Sequence, residues 1–155
     1  MNPKIILLDK RYIIGKFCYR SKSTEIFNWI KEKRVNNPFE IIDKHECNIM
    51  FWKSSPGGKS LNYNAFLGYE SDAPFNCRTF TTFEVPACEW AIFEANHSIW
   101  WKSGDKDIEG WIANNDIYKW RTYKNAVFQI EYYRDKFNIE EPDSLMEIWY
   151  PLERK

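Results

Sequence analysis

The sequence predicts an α+β domain of two tandem βαββ units, with an antiparallel sheet, one helix from each unit packed on it, and a pseudo-twofold axis between the halves. Three observations predict it. The chain of 155 residues has the length of one domain with one substantial core. Strand-like and helix-like segments recur in the same order in both halves. Finally, 8 Trp, 9 Tyr and 11 Phe make the chain 18% aromatic, a composition suited to half-buried pleated surfaces. A single domain spanning residues 1–155 is expected, with pseudo-repeats at about 1–75 and 80–155.

The first strand-like segment, Leu7 to Ile14, lies over Val85 to Ile92 at an offset of 78. Each is followed by an I-x-x-W-I pattern: Ile26, Trp29 and Ile30 in the first half, Ile108, Trp111 and Ile112 in the second, with an offset of 82 between the tryptophans. Spacing of i, i+3, i+4 marks one face of a helix. The first helix is expected from Ser23 or Thr24, either a good N-cap, to about Val35, where Asn36-Asn37-Pro38 stops it. The second is expected from Asp105 to Asn115. Beyond the helices, Ile49-Met50-Phe51-Trp52-Lys53 matches Ile130-Glu131-Tyr132-Tyr133-Arg134 at an offset of 81, and Tyr69 matches Tyr150 at the same offset. The shift from 78 to 82 places about four extra residues between the first strand and the helix of the second half, in the stretch that holds Trp100-Trp101.

Composition narrows the function classes. The chain has 22 Lys plus Arg against 22 Asp plus Glu, so it lacks the basic excess of a nucleic-acid or anionic-membrane binder. The only N-terminal apolar run is Ile5 to Leu8, too short for a signal-peptide core, and no stretch is long enough to span a membrane, so a cytoplasmic protein is expected. Cys18, Cys47, Cys77 and Cys88 form no C-x-x-C pair and read as reduced thiols. His45 and Cys47 have only His97 as a further histidine, which leaves a metal site short of ligands. Ser54-Ser55-Pro56-Gly57-Gly58-Lys59-Ser60 ends like a phosphate-binding loop, but Lys53 stands where its first glycine is required, so it reads as a hairpin loop. Asn96-His97-Ser98 fits a glycosylation sequon, which carries no meaning without secretion. No cofactor motif and no metal centre is expected.

One residue breaks the repeat. Where the first half has the apolar Met50, the second has Glu131, flanked by Phe128, Ile130, Tyr132 and Tyr133. If the positions are equivalent, Glu131 points where a core side chain would. A carboxylate taken out of water costs several kcal/mol or more without a partner, so it must be hydrogen-bonded, protonated or awaiting a cation. A one-residue slip in the alignment would turn it to solvent as an ordinary surface acid.

Three segments carry a family resemblance. Val85-Pro86-Ala87-Cys88-Glu89-Trp90-Ala91-Ile92-Phe93 is similar to a P-x-G-x-Y-A-V-F strand, Ile130-Glu131-Tyr132-Tyr133-Arg134-Asp135 to an F-E-L-Y-D strand, and Met146-Glu147-Ile148-Trp149-Tyr150-Pro151-Leu152-Glu153 to a terminal E-I-Y-I-P-V strand. In order and spacing they resemble the GyrI-like or AraC-type effector-binding domain, also called the bacterial transcription activator effector-binding domain. The resemblance implies a duplicated βαββ fold. It also implies binding of small, lipophilic and cationic molecules in an aromatic cleft between the halves, with a strand glutamate facing the ligand. Glu131 falls on that glutamate and Tyr133 on the motif's tyrosine, while Cys88 replaces the usual glycine and Trp90 the usual tyrosine.

The expected site therefore has Glu131 supplying negative charge, with Tyr133, Tyr132, Trp90, Trp101 and Trp149 supplying ring faces. With no helix-turn-helix segment, a stand-alone binding protein is expected, its partner a small molecule rather than nucleic acid or membrane. Two other classes stay open. One is a hydrolase of reactive small molecules using Glu131 with Tyr133 or Tyr132 as its catalytic pair. The other is a gyrase-inhibitor-like module that binds a protein surface.

Overall fold

The fold was analysed in a computed structural model. It describes residues 2–42, 46–52, 65–75, 77–98, 100, 106–134, 137–138 and 140–155, with the side chains of 46–48 and 50–52 left aside. His45, the 54–60 loop, Trp101 and Asp105 lie outside the described residues.

The architecture is α+β and the sheet is antiparallel at every pairing, as the repeat predicts. In chain order the elements are β1 (Lys4–Leu8), β2 (Arg11–Cys18), a 3₁₀ turn (Arg20–Lys22), α1 (Ser23–Lys33), β3 (Glu46–Trp52), β4 (Ala65–Ser71), β5 (Thr81–Val85), β6 (Cys88–Asn96), α2 (Lys106–Ala113), β7 (Tyr118–Trp120), β8 (Thr122–Tyr123), β9 (Ala126–Tyr132) and β10 (Leu145–Arg154). The strand order is β1-β6-β10-β9-β3-β4-β2-β5, with β7 beside β10 and β8 beside β9. The duplicated units β2-α1-β3-β4 and β6-α2-β9-β10 thus meet at the central β3–β9 ladder, where Ile49 faces Ile130.

Each strand the sequence reads as single at the start of a repeat is a pair of strands with a break: Asp9-Lys10 separates β1 from β2, and Pro86-Ala87 separates β5 from β6. Neither pair folds back as a hairpin. β1 pairs with β6 of the other unit, from Lys4–Ile92 to Leu8–Cys88, and β5 pairs with β2, from Arg11–Val85 to Gly15–Thr81. Both ladders lie on one continuous register, so β1–β2 and β5–β6 are two long antiparallel strands crossing between the halves. Since β1 and β5 are the two ends of the strand order, this crossing links one end of the sheet to the other and closes it on itself.

Closure gives the sheet an inner and an outer face, both buried. Inside are Ile13, Ile49, Phe66, Phe83, Val85, Trp90, Phe128, Ile130, Tyr132 and Trp149, drawn from β2, β3, β4, β5, β6, β9 and β10. Outside, α1 covers the first half with Phe27 and Ile30 against Ile14, Leu67 and Tyr69. Across the twofold, Ile108, Trp111 and Ile112 of α2 pack with Phe93, Ile148 and Tyr150. The I-x-x-W-I stripes are therefore the buried faces of both helices.

Local details differ from expectation in two ways. Ser23 is not the N-cap of α1: a 3₁₀ turn precedes the helix, and the Ser23 hydroxyl donates to the Arg20 carbonyl at 2.6 Å. The two halves also do not superimpose with a single offset. Moving Glu46–Tyr69 by 81 would pair Val127 with Tyr150, whereas β9 and β10 pair Tyr132 with Glu147 and Ile130 with Trp149, a slip of two residues. A two-residue slip keeps every side chain on its face. Cys18, Cys77 and Cys88 are free thiols, and burial pushes Cys18 up to about 11 against a lowering pull from Lys16.

The β2–β4 ladder has glycine on both strands at one register position, Gly15 facing Gly68. A Cβ on Gly15 would sit 1.7 Å from the Leu67 carbonyl oxygen, and one on Gly68 would sit 2.2 Å from that of Ile14. The obstacle is backbone, so no rotamer change relieves it. Gly15→Ala is expected to destabilise the fold by about 3 kcal/mol or more, above the usual range for overpacking, as read by urea denaturation. Gly110, with open space around its Cβ position, is the control: Gly110→Ala should be neutral or stabilising.

Candidate functional site

Glu131 lies near the end of β9, on the central ladder, paired across to Asn48 of β3 and to Ile148 of β10. Its side chain is 1% exposed. Strand alternation puts Gln129 and Glu131 on the outer, helix-covered face and Ile130 and Tyr132 on the inner one. Ile148, opposite Glu131, belongs to the outer cluster, and Trp149, opposite Ile130, to the inner one.

The carboxylate is met by donors from several elements. The indole N–H of Trp100, in helical backbone just after β6, donates to Oε1 at 3.1 Å. The Gln129 amide donates to the same oxygen at 3.2 Å, and the Tyr133 hydroxyl donates to Oε2 at 2.6 Å. Gln129 is itself oriented, because its carbonyl oxygen accepts the Tyr150 hydroxyl, leaving the NH₂ to face the carboxylate. Arg20, in the 3₁₀ turn of the other half, brings Nη2 to 4.0 Å from Oε1. Charge-assisted bonds of this kind offset the cost of burying the ion.

The sequence-derived site residues divide between the two faces. Glu131 and Tyr133 come together, with Phe137 against the Tyr133 ring at 4.8 Å. Trp90, Tyr132 and Trp149 come together elsewhere, on the inner face, with Tyr132–Trp149 at 4.5 Å and Trp90–Trp149 at 6.3 Å between ring centroids. There Trp149 donates its indole N–H to Glu147, and the guanidinium groups of Arg11 and Arg134 each lie 5.7 Å from its ring. These three rings do not line the approach to Glu131. The reason is parity: neighbours on a strand face opposite ways, so Glu131 and Tyr132 cannot share a wall.

Sequence reasoning missed Arg20, Gln129, Trp100 and Tyr150. Alternation from Glu131 could have supplied Gln129. Trp100 stood beside the tryptophan that was chosen. Arg20 had no local signal, since it arrives from the other half of the chain. Another carboxylate with several donors, Glu89, takes Tyr118 at 2.9 Å and Arg154 at 3.0 Å, which hold it below the usual carboxylate range, Arg154 foremost. Its side chain is half-buried, and desolvation there opposes the two donors without outweighing them.

No family profile and no curated protein matches the chain. Solved structures do. The chain has the fold of the EcmrR C-terminal domain. That domain is 15% identical, with a TM-score of 0.65 and full coverage of both chains. The EcmrR chain in its complex with DNA is 14% identical at a TM-score of 0.67; the match spans 99% of the present chain but only 58% of EcmrR. SAV2435 bound to tetraphenylphosphonium is 13% identical, with a TM-score of 0.61 over 99% of this chain and 94% of that one. Among the described residues no helix is long and apolar enough to cross a membrane.

Because Trp100 and Tyr133 donate to the two oxygens of one buried carboxylate, their contributions should be coupled. Trp100→Phe and Tyr133→Phe are each expected to cost about 1–3 kcal/mol, and the double variant should depart from additivity by at least about 0.5 kcal/mol. Urea denaturation of the four-protein cycle measures this. Strict additivity would mean that the two donors do not share an anion.

Proposed function

We propose that the chain binds a lipophilic, cationic small molecule at Glu131, on the outer face of the sheet between the two helices. The observation that carries this reading is a carboxylate at 1% exposure in the middle of an aromatic sheet. A purely structural acid at that position adds little stability over an apolar residue of similar size, since isosteric apolar replacement of buried ion pairs is often neutral or stabilising. A fixed anion in apolar surroundings does select charge: its attraction for a cation is several-fold stronger than in water.

The neighbouring rings suit the rest of such a ligand. Tyr133 and Phe137 are half-buried and stacked at a tilt, and Trp100 is held by its indole N–H with its ring in the outer cluster. A cation against such faces gains roughly 0.5–2 kcal/mol per contact, and apolar burial supplies most of the affinity. That SAV2435, a protein of this fold, binds tetraphenylphosphonium supports the same ligand class here. In this reading the chain is an effector-binding protein of GyrI-like type, with residues 1–155 forming one domain.

Calorimetry and thermal shift with a panel of lipophilic cations, tetraphenylphosphonium among them, test the proposal. The wild type should bind at least one member, and Glu131→Gln should weaken that binding by tenfold or more, about 1.4 kcal/mol. Equal binding by both proteins, or by neither, contradicts it. A hydrolytic reading draws on the same Tyr133–Glu131 bond, and the recovered ligand separates the two: unchanged compound supports binding alone, accumulating product supports turnover.

A further inference from the structure

The donors that hold Glu131 also use up what its carboxylate can accept. An ionised carboxylate takes about four hydrogen bonds, two on each oxygen. Oε1 already accepts the Trp100 indole N–H at 3.1 Å and the Gln129 amide at 3.2 Å, and Oε2 accepts the Tyr133 hydroxyl at 2.6 Å. At most one place is left, on Oε2. The donors offer little in exchange: an indole accepts nothing, and the Gln129 carbonyl oxygen already takes the Tyr150 hydroxyl. The charge is not consumed in the same way, because Trp100, Gln129 and Tyr133 are neutral donors, and the Arg20 guanidinium stands 4.0 Å from Oε1, beyond hydrogen-bond reach. The site presents an anion whose acceptor positions are occupied.

We infer that the site selects onium ions that carry no N–H, with quaternary ammonium or phosphonium centres, over protonated primary amines on the same aromatic frame. The inference rests on the cation-binding reading of Glu131 and deepens it by naming the class of cation. A protonated primary amine is a compact, strongly hydrated charge with three N–H donors. Beside a carboxylate that is 1% exposed it leaves that water behind and needs three acceptors in its place. Each buried N–H left unmet carries the desolvation penalty of a lost hydrogen bond. A quaternary centre makes no such demand. Its charge lies under an apolar shell, and its Coulomb attraction to Glu131 acts at van der Waals distance without a lone pair. The Tyr133 and Phe137 rings, 4.8 Å apart, offer that shell the faces it needs.

A matched pair tests this: 4-phenylbenzylammonium and its N,N,N-trimethyl derivative, titrated calorimetrically into wild type, Trp100→Phe, Gln129→Met and Glu131→Gln, with tetraphenylphosphonium as a further onium ion and circular dichroism to confirm folding. Wild type should bind the trimethyl ion at least tenfold tighter than the primary one. Trp100→Phe and Gln129→Met each reopen one acceptor place on Oε1, so each should narrow that ratio at least threefold. Burial of the added methyl groups is common to these proteins and drops out of the comparison. A ratio narrowed by less than threefold in either variant makes methyl burial the cause and overturns the inference. A wild-type ratio below tenfold, or no binding of the trimethyl ion where the phosphonium binds, overturns it too; the cation-binding reading then stands if Glu131→Gln still weakens phosphonium binding. If wild type binds neither ion of the pair nor the phosphonium, that reading fails and the inference with it.

Discussion

Placing a carboxylate in the middle of a sheet that is buried on both faces obliges the rest of the chain to supply its donors. Glu131 collects them from three directions: Gln129 on its own strand, Tyr133 just beyond it, and Trp100 after β6, with Arg20 of the opposite half at ion-pair distance. Gln129 is in turn set by Tyr150 on β10. The polar network is therefore also a joint, tying β9, β10 and the segment after β6 to the turn that opens α1. Partly satisfied networks of this kind are costly, which makes a unique arrangement of these elements the favoured one.

That joint works because the sheet closes. The two long strands β1–β2 and β5–β6 cross from one unit to the other and pair along one register, so each half contributes an edge to its partner. The inner face fills with rings, among them Trp90, Phe128, Tyr132 and Trp149, while the outer face carries the helices. The aromatic richness of the sequence goes mostly into those packing surfaces, while among the described residues Trp100 and Tyr133 bond to the carboxylate and Phe137 packs on the Tyr133 ring.

The sequence made the helices, the order of strands and the odd acid legible, because each leaves a periodic or repeated mark: the I-x-x-W-I stripes, the matched strands, Glu131 opposite an apolar partner. The crossing of β1 and β5 left none. Two adjacent strands around Asp9-Lys10 or Pro86-Ala87 look the same whether they pair with each other or with the other unit. Tyr132 was excludable by alternation alone, yet Trp149 and Trp90 were not: their face depends on the β9–β10 and β6–β10 registers, which side-chain pattern does not fix across a whole sheet. Arg20 was beyond reach because its contact with Glu131 joins halves far apart in the chain.

The central claim is that Glu131 is the point at which a cation enters this fold. A crystal structure of the chain with tetraphenylphosphonium tests it most directly. The account predicts the phosphorus centre beside the Glu131 carboxylate, between Trp100 and Tyr133. Ligand density on the inner-face cluster of Trp90, Tyr132 and Trp149, away from Glu131, would contradict it.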